Sequence, residues 1–338
     1  MERYDQNVGP VVDFLSYGDF GSPTFPSLYT EGYFQWKIRD NPFGPSACFL
    51  RSRDGIPVAH CSVTAKPWNE ALGAGVGCAE LGDTHTHPAH QRQGHFGALG
   101  SHMISSFDQS HPLGAKLIYG LPNDNALPGW IRRCSCEVYS GAMTRELVRG
   151  LKQTPGAVAR QGLNRLLTSS ARSLRRFRLC EDRANIMRGM DRLWAENEDI
   201  GSFLVKKDGA WWDWRYRGAT EKYCTYALID AEAGDPLAYV VVKMGRHGTR
   251  FMRICDVIAS VAEIESDAFR LFLEQEVRPT DSVMLWAQES TEIEDIALSM
   301  GFTKTRDVPL IFFKNEAYAE LVRGQTRLRL SLGDTDNV

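Results

Sequence analysis

The chain has 338 residues, of which 43% are hydrophobic and 24% are charged. These values are typical of a globular protein with two domains or one large one. The net charge of −3 gives no bulk attraction to nucleic acid, so we expect no nucleic-acid partner. No run of about 18 apolar residues occurs, and residues 1–30 lack a signal-peptide pattern. We therefore expect a cytoplasmic monomer or homodimer that does not insert into a membrane.

The first 150 residues alternate between strand and helix patterns. Residues 31–38 predict a short helix, and the sequence Asp54-Gly55 predicts a tight turn. The apolar patterns that follow predict strands at 47–51, 58–64, 76–86, 116–121 and 137–148, and helices at 94–108 and 123–133.

Eight cysteines occur, and we expect reduced side chains. Cys48, Cys61, Cys78 and Cys255 lie in apolar, strand-like runs, where cysteine behaves as a small buried hydrophobe. The pair at 134 and 136 has no second Cys or His pair at zinc-site spacing.

The most informative segment is 83–99, where a strand runs through a polar turn into a helix. Such a turn leaves the first amides of the helix unpaired at its positive end, which is an anion site. Gly94 lets the backbone approach a phosphate closely, and Gln91 and Arg92 add side-chain donors.

The sequence Gln91-x-x-Gly94, which follows His87-Pro88, resembles motif A of the GNAT superfamily of acyl-CoA-dependent N-acyltransferases. In that superfamily the turn binds the pyrophosphate of coenzyme A, and the motif ends in Gly-x-Gly or Gly-x-Ala, where this chain has Phe96. The resemblance implies acetyl-CoA or another acyl-CoA as cofactor. It places the following residues at the cofactor: Thr84, Thr86, Gln91, Arg92, Gln93, Gly94, His95 and Phe96, with Asn123 and Ala126 from the next motif.

That next motif follows the strand predicted at 116–121. The superfamily has an Asn after this strand, an Ala three positions on, and often a Tyr four further whose hydroxyl protonates the departing thiolate. Asn123 and Ala126 match, whereas Trp130 stands in the place of the Tyr. An indole N–H donates hydrogen bonds but is no useful acid.

The second half repeats the order of the first: strand, strand, helix, strand, helix, strand. The elements are predicted at 237–244, 251–259, 261–277, 283–288, 293–300 and 308–313. The segment 258–261 replaces the Gln/Arg-x-x-Gly turn, so we expect no pyrophosphate site there. Together with the segment 34–37, these features resemble the two-lobed branch of the superfamily, some members of which acylate nucleotide-linked amino sugars.

We therefore predict an α+β fold of two tandem GNAT-like lobes with mixed sheets. The first lobe, at 1–149, is expected to bind acyl-CoA, and a degenerate second lobe occupies 201–338. Between them, 150–200 predicts a basic linker and helix: no acid occurs from 147 to 180.

Acyl transfer to an amine needs a donor for the thioester oxyanion, and in the superfamily this is a backbone N–H of a bulged strand before motif A. For the general base, Glu80 lies eleven residues before Gln91, as in several members, where apolar neighbours would raise its pKa. Asp83 and His85 are the other candidates, on the opposite face unless a bulge re-aims them. A water relay without a side-chain base stays open.

Two further patterns bear on ligands. The aromatic segment 211–216 offers Trp212, Trp214 and Arg215, with Trp130, as residues that could bind the substrate; a core helix is the alternative. The sequence His85-x-His87-x-x-His90 has spacing like that of metallo-β-lactamase-like hydrolases, but Ala89 replaces an essential Asp, so we expect no metal.

The sequence thus favours an acyltransferase that moves an acyl group, in the first instance acetyl, directly to a primary amine of a small polar molecule. The preferred acceptor is a dTDP- or UDP-linked amino sugar, which the resemblance implies. The alternatives are an amino acid, antibiotic or peptide amine as acceptor, a non-catalytic acyl-CoA sensor, and a metal-dependent hydrolase.

Overall fold

The computed structural model describes residues 1–17, 29–72, 77–106, 117–150, 175–197, 199–219, 222–230, 234–245, 251–278, 281–324 and 327–335. Their strands form one 12-stranded mixed sheet. No helix within these ranges is long and apolar enough to cross a membrane.

The strands divide evenly between the two halves of the chain. Those of the first half are Glu2–Tyr4 (β1), Ala47–Arg53 (β2), Ile56–Lys66 (β3), Cys78–Thr86 (β4), Leu117–Gly120 (β5) and Cys136–Arg149 (β6). Those of the second half are Arg175–Cys180 (β7), Tyr223–Asp230 (β8), Pro236–Met244 (β9), Phe251–Ala259 (β10), Ser282–Gln288 (β11) and Thr303–Phe313 (β12).

Helices cover both faces of the sheet. The described helices of the first half are Gly9–Tyr17 (α1), Glu31–Phe34 (α2), His95–Ser105 (α3) and Leu127–Arg133 (α4). Those of the second half are Arg183–Ala195 (α5), Gly209–Trp212 (α6), Ala262–Gln275 (α7), Glu292–Ser299 (α8) and Glu316–Arg323 (α9). The short helices α2 and α6 each continue into a π-helical turn, Gln35–Arg39 and Asp213–Arg217 respectively.

The predicted repeat is confirmed, since β3-β4-α3-β5-α4-β6 and β9-β10-α7-β11-α8-β12 follow the same order. The two halves also exchange their last strands, which the sequence did not predict. β12 lies between β5 and β6 and is antiparallel to both, and β6 in turn pairs with β11. Each half therefore completes its sheet with the final strand of the other.

Each half has a core on either face of its sheet. In the first half, Leu99 and Met103 of α3 pack on Ala79 and Leu81 of β4. The opposite face carries α1 and α2. In the second half, Phe269 of α7 packs in the corresponding core.

The expectation of unpaired cysteines is confirmed for all eight, which are free. The boundaries 1–149, 150–200 and 201–338 stay a prediction. Both β7 and α5 fall inside its middle segment, and β7 pairs with β8 at the edge of the sheet. Most of the basic stretch lies in 151–174, outside the described residues.

Candidate functional site

The turn between β4 and α3 presents backbone amides without helical acceptors. After a single 3-10 turn, the chain passes through Arg92 at φ +59° and Gly94 at φ +79° before α3 begins at His95. The first backbone bond of α3 runs from Ala98 N–H to the carbonyl of Gly94, at 3.1 Å. The amides of 95–97 precede that bond and lie at the positive end of the helix. This arrangement favours an anion.

Gly94 leaves the space beside the turn open. A Cβ added at this position would meet nothing within 4 Å. Its φ of +79° is a left-handed conformation that favours glycine. A larger residue would therefore strain the backbone of the turn and extend into the open space beside it.

Side chains hold the turn in shape and make its surroundings basic. Gln91 and Gln93 each donate a side-chain hydrogen bond to a nearby carbonyl, at 3.4 and 3.3 Å, and Arg53 Nη1 donates to Gln93 Oε1 at 2.8 Å. The imidazole of His95 is buried; burial lowers its pKa, and the positive charge of Arg51 lowers it further. Of the predicted cofactor residues, His95 would therefore contribute its backbone amide.

β4 separates from β5 just before this turn. Their parallel pairing ends at Leu81 and Gly120, although β4 continues to Thr86. Thr84 and Thr86 are half-buried on the separated part of the strand. Among the described residues, no strand pairs with β4 on the side of β5 beyond Leu81. The pairing of the two strands ends at this position.

A bulge in β4 re-aims the three candidate bases. The register with β3 shifts between His60 and Ser62, and Asp83 has φ +46°. A regular strand would place Glu80 on one face and Asp83 and His85 on the other. The extra residue of the bulge instead brings all three side chains to the face covered by α2.

Two of these candidates form buried ion pairs. Lys37 Nζ lies 2.6 Å from Asp83 Oδ2, which also accepts a hydrogen bond from Ser62 Oγ at 2.8 Å. Lys66 Nζ lies 2.8 Å from Glu80 Oε2. Burial raises the pKa of Asp83, but the ammonium of Lys37 outweighs it and holds that pKa below its ordinary value. Both carboxylates are enclosed by protein, each beside the ammonium of a lysine.

His85 is the most accessible of the three. Its Nε2 lies 3.2 Å from Tyr29 Oη, and its ring stacks parallel to that of His60 at 6.4 Å between centroids. Burial lowers the pKa of His85 to about 4 and that of His60 to about 3, against the opposing effect of Asp83. Both imidazoles are therefore neutral at neutral pH, and that of His85 is able to accept a hydrogen bond from an ammonium.

The second motif forms the start of α4. Asn123 Oδ1 accepts a hydrogen bond from the amide of Ala126 at 3.0 Å, which delays the helix to Leu127. Trp130 is buried, and its ring packs edge-to-face on Phe96 with centroids 5.0 Å apart. The structure therefore places Trp130 in the core between α3 and α4, and not where it would touch a substrate.

The aromatic segment after α6 is also core. Trp212 and Trp214 are each 6% exposed and Arg215 is 1% exposed. The indole of Trp212 donates to Thr225 Oγ1 at 2.9 Å, and Arg215 donates to the carbonyls of Gly333 and Thr335 at 3.1 and 2.7 Å. The polar atoms of these side chains are hydrogen bonded to other groups of the protein. This agrees with the alternative interpretation of the segment as a core helix.

Lys37, Lys66 and His60 hold the site together, and no motif in the sequence predicts this role for them. Each is completely or almost completely buried. A detectable signal exists, because Lys37 lies between Trp36 and Ile38, and Lys66 ends an apolar strand. A single charge in such surroundings requires a buried partner. In the described part of the chain, no three His, Cys, Asp or Glu side chains converge on a possible metal position.

The fold is similar to that of solved GNAT-like acetyltransferases, including one with two such lobes in tandem. A tandem GNAT protein from the clavulanic acid biosynthesis pathway matches 92% of this chain and 98% of its own, with a TM-score of 0.58 and 12% identity. A GCN5-related N-acetyltransferase from Anabaena variabilis matches 92% and 72%, with a TM-score of 0.59 and 12% identity.

A third similar structure is the glucosamine N-acetyltransferase region of a fungal multi-domain GH3 β-N-acetylglucosaminidase. It matches 92% of this chain and 38% of its own, with a TM-score of 0.54 and 13% identity. No family profile and no curated protein matches the chain. These likenesses establish the predicted mixed α/β fold of GNAT-like acetyltransferases.

Proposed function

We propose that the first lobe binds an acyl-CoA and catalyses transfer of its acyl group directly to a primary amine of a small polar molecule. The observation that carries this proposal is the combination of an open, amide-lined turn with a bulged strand that leaves its neighbour. The turn at 91–97 suits a diphosphate. The gap beyond Leu81 and Gly120 suits an extended chain that runs from it.

The residues present fit this cofactor. The amides of the turn and the guanidinium groups of Arg53 and Arg92 would hold its phosphates. When bound, acyl-CoA supplies a thioester that is activated toward amines. The backbone of 82–86 would orient the thioester and donate an N–H to the oxyanion that develops on its carbonyl. No cysteine lies in this part of the chain, in agreement with direct attack.

For the proton of the attacking amine, His85 is the acceptor that we favour. Glu80 and Asp83 are each bound to a buried lysine, whereas the half-buried imidazole of His85 is neutral. The two carboxylates would then act through charge: Asp83 favours the protonated imidazole as it forms. A water bound to His85 could carry the same proton one step further.

The acceptor that we favour is a nucleotide-linked amino sugar. This choice is supported by the resemblance to the two-lobed branch and by the glucosamine acetyltransferase region with a similar fold. An amino acid, antibiotic or peptide amine would use the same chemistry. Trp130 supports a second function, a non-catalytic acyl-CoA sensor, because a buried indole leaves the usual acid position without an acid.

A matched pair of glycines tests the cofactor site. Gly94 and Gly55 have nearly the same φ, +79° and +80°, and a Cβ on either meets nothing within 4 Å. Gly94→Val and Gly55→Val therefore carry a similar backbone penalty, but Gly55 lies in the β2–β3 hairpin. We expect Gly94→Val to weaken acetyl-CoA binding in calorimetry by about a hundredfold, or 2.7 kcal/mol. Equal affinities in the two variants would contradict the proposal.

A turnover assay separates the transferase from the sensor. Release of free coenzyme A is followed while amines are supplied in parallel: amino sugar nucleotides, free amino sugars, amino acids and aminoglycosides. Release above the rate of hydrolysis with one class identifies the acceptor. Tight acetyl-CoA binding without release in any class would instead establish the sensor.

A further inference from the structure

A cavity of about 530 Å³ lies in the second lobe, and none of its lining residues belongs to the turn described above. It opens where β10 leaves β11, whose parallel pairing is confined to 251–253 and 282–284. Segments 199–203 and 327–334 form its other walls. Its size is in the range of small-molecule sites. Nothing in the proposed transferase chemistry uses it.

The start of α7, at the wall of this cavity, is unfavourable for a phosphorylated ligand. α7 begins at Ala262, three residues after β10 ends, and the residues between them contain no left-handed turn like the one formed by Arg92 and Gly94 before α3. Its first turn carries Glu263 and Glu265 at the positive helix end that a phosphate would need. Glu265 lines the cavity.

Carboxylates outnumber cations in and behind the cavity wall. Arg329 lies between two of them, 3.2 Å from Asp199 Oδ2 and in contact with Glu265 Oε1. The side chains of the wall that carry charge are Asp199, Asp256, Glu265, Glu292, Asp334, Arg327 and Arg329. Behind the wall, Lys207 pairs with Asp256 and Arg270 pairs with Glu292. Such an excess of negative charge at low dielectric stabilises a positively charged ligand.

The second ion cluster shows the same imbalance. Lys207 Nζ lies 2.8 Å from Asp256 Oδ1 and also contacts Asp334. Burial raises the pKa of Asp334; Lys207 lowers it and Asp256 raises it, and the net shift is upward. One lysine thus faces two carboxylates, and these also accept hydrogen bonds from the hydroxyls of Ser331 and Tyr216.

The remaining walls are apolar and aromatic. Phe203, Phe269 and Trp286 line the cavity together with aliphatic side chains of β10 and β11. The guanidinium of Arg329 already lies 4.7 Å from the ring centroid of Phe203, which shows that this wall accommodates a cation beside an aromatic face.

We infer that the cavity of the second lobe binds a small organic cation, a primary amine on an apolar body, rather than an acyl-CoA. The carboxylates of the wall bind the ammonium group of the ligand, and the aromatic side chains contact its apolar body. This site is independent of the cofactor turn of the first lobe, so the failure of one assignment leaves the other standing.

The test uses three probes of one shape. Benzylamine, benzyl alcohol and benzoate are titrated into the full-length protein in a calorimeter. We expect benzylamine to bind at least about tenfold more tightly than the neutral alcohol, and benzoate to bind weakest. No binding of benzylamine, or equal binding of the alcohol, would overturn the inference. Displacement of benzylamine by acetyl-CoA would overturn it as well.

Two variants locate the site. Glu292→Lys reverses an exposed charge that lines the cavity, and Glu263→Lys makes the same change in net charge outside the lining. We expect about a fivefold or greater loss of benzylamine affinity in the first variant and less than about a twofold loss in the second. Equal losses would mean that benzylamine senses the overall charge, and the site would be rejected. Gly94→Val should bind benzylamine like the unchanged protein.

Discussion

Trp36 and Trp214 hydrogen bond to each other reciprocally. The indole of Trp36 donates to the carbonyl of Trp214 at 2.7 Å, and that of Trp214 donates to the carbonyl of Trp36 at 3.2 Å. Their rings stack at 5.0 Å between centroids. Each tryptophan lies at the second position of its π-helical turn, so equivalent positions of the two halves of the chain contact each other.

The reciprocal pair predicts strong coupling between the lobes. Trp36→Phe or Trp214→Phe removes one donor and leaves a buried carbonyl of the other lobe unpaired, at a cost of about 1–3 kcal/mol each. In urea unfolding, we expect the double variant to lose less than the sum of the singles. Trp212→Phe, whose donor reaches Thr225 within the same lobe, should be additive with Trp36→Phe. Additivity in both pairs would refute the coupling.

The pair of Lys37 and Asp83 predicts a pH-dependent stability. Asp83→Asn leaves a buried ammonium without its counter-charge and should cost about 3–5 kcal/mol at neutral pH, whereas Lys37→Met with Asp83→Asn should cost less. The pKa of Asp83 is lowered in the fold. The stabilisation is therefore complete above the unfolded pKa of about 4 and is lost as the pH falls through the folded value.

Urea midpoints between pH 7 and pH 3, taken at about half-unit steps, check this sign. The unchanged protein should lose stability below about pH 4 more steeply than Asp83→Asn does. Glu31→Gln, which removes an exposed carboxylate in the same segment, serves as the control and should follow the unchanged protein. A parallel course for Asp83→Asn would show that this pair does not titrate with folding.

His85 predicts a characteristic kinetic signature. If it accepts the proton of the amine, His85→Gln should lower kcat by about a hundredfold with little change in the KM for acetyl-CoA. Because burial lowers the pKa of His85 to about 4, its protonation should not depress kcat/KM between pH 5 and pH 7. An ordinary histidine would do so near about 6.5. His102→Gln, an exposed change on α3, is the control. Full activity of His85→Gln would favour a water relay.

Local patterns in the sequence predicted the elements that position the candidate site. The strand before the turn, Gly94 at its end and the helix after it all follow from residues close in the chain. The sequence allows a bulge near Asp83 but does not predict it, because no sequence pattern indicates a positive φ at an aspartate. The helix predicted from 123 begins only at Leu127, because the side chain of Asn123 accepts a hydrogen bond from the amide of Ala126. Helix propensities do not include such a side-chain bond.

What the sequence could not predict depends on partners far along the chain. Lys66 and Trp214 are separated by about 150 residues, yet the ammonium lies 5.4 Å from the ring centroid. Because such distant partners cannot be seen in the sequence, the composition of the aromatic segment 211–216 was compatible with both a ligand site and a core helix. The strand exchange has the same origin, since β6 and β12 each carry a pattern that fits either position in the sheet.

The exchange of β6 and β12 predicts that the lobes cannot fold separately. Residues 1–150 alone would leave β5 and β6 with unpaired edges, because β12 fills the position between them. We expect this fragment to show no cooperative unfolding and no acetyl-CoA binding. Co-expression with 175–338 keeps every strand that the structure describes and should restore both properties, because the break falls between β6 and β7. A fragment 1–150 that unfolds cooperatively on its own would show that β12 is dispensable to the first lobe.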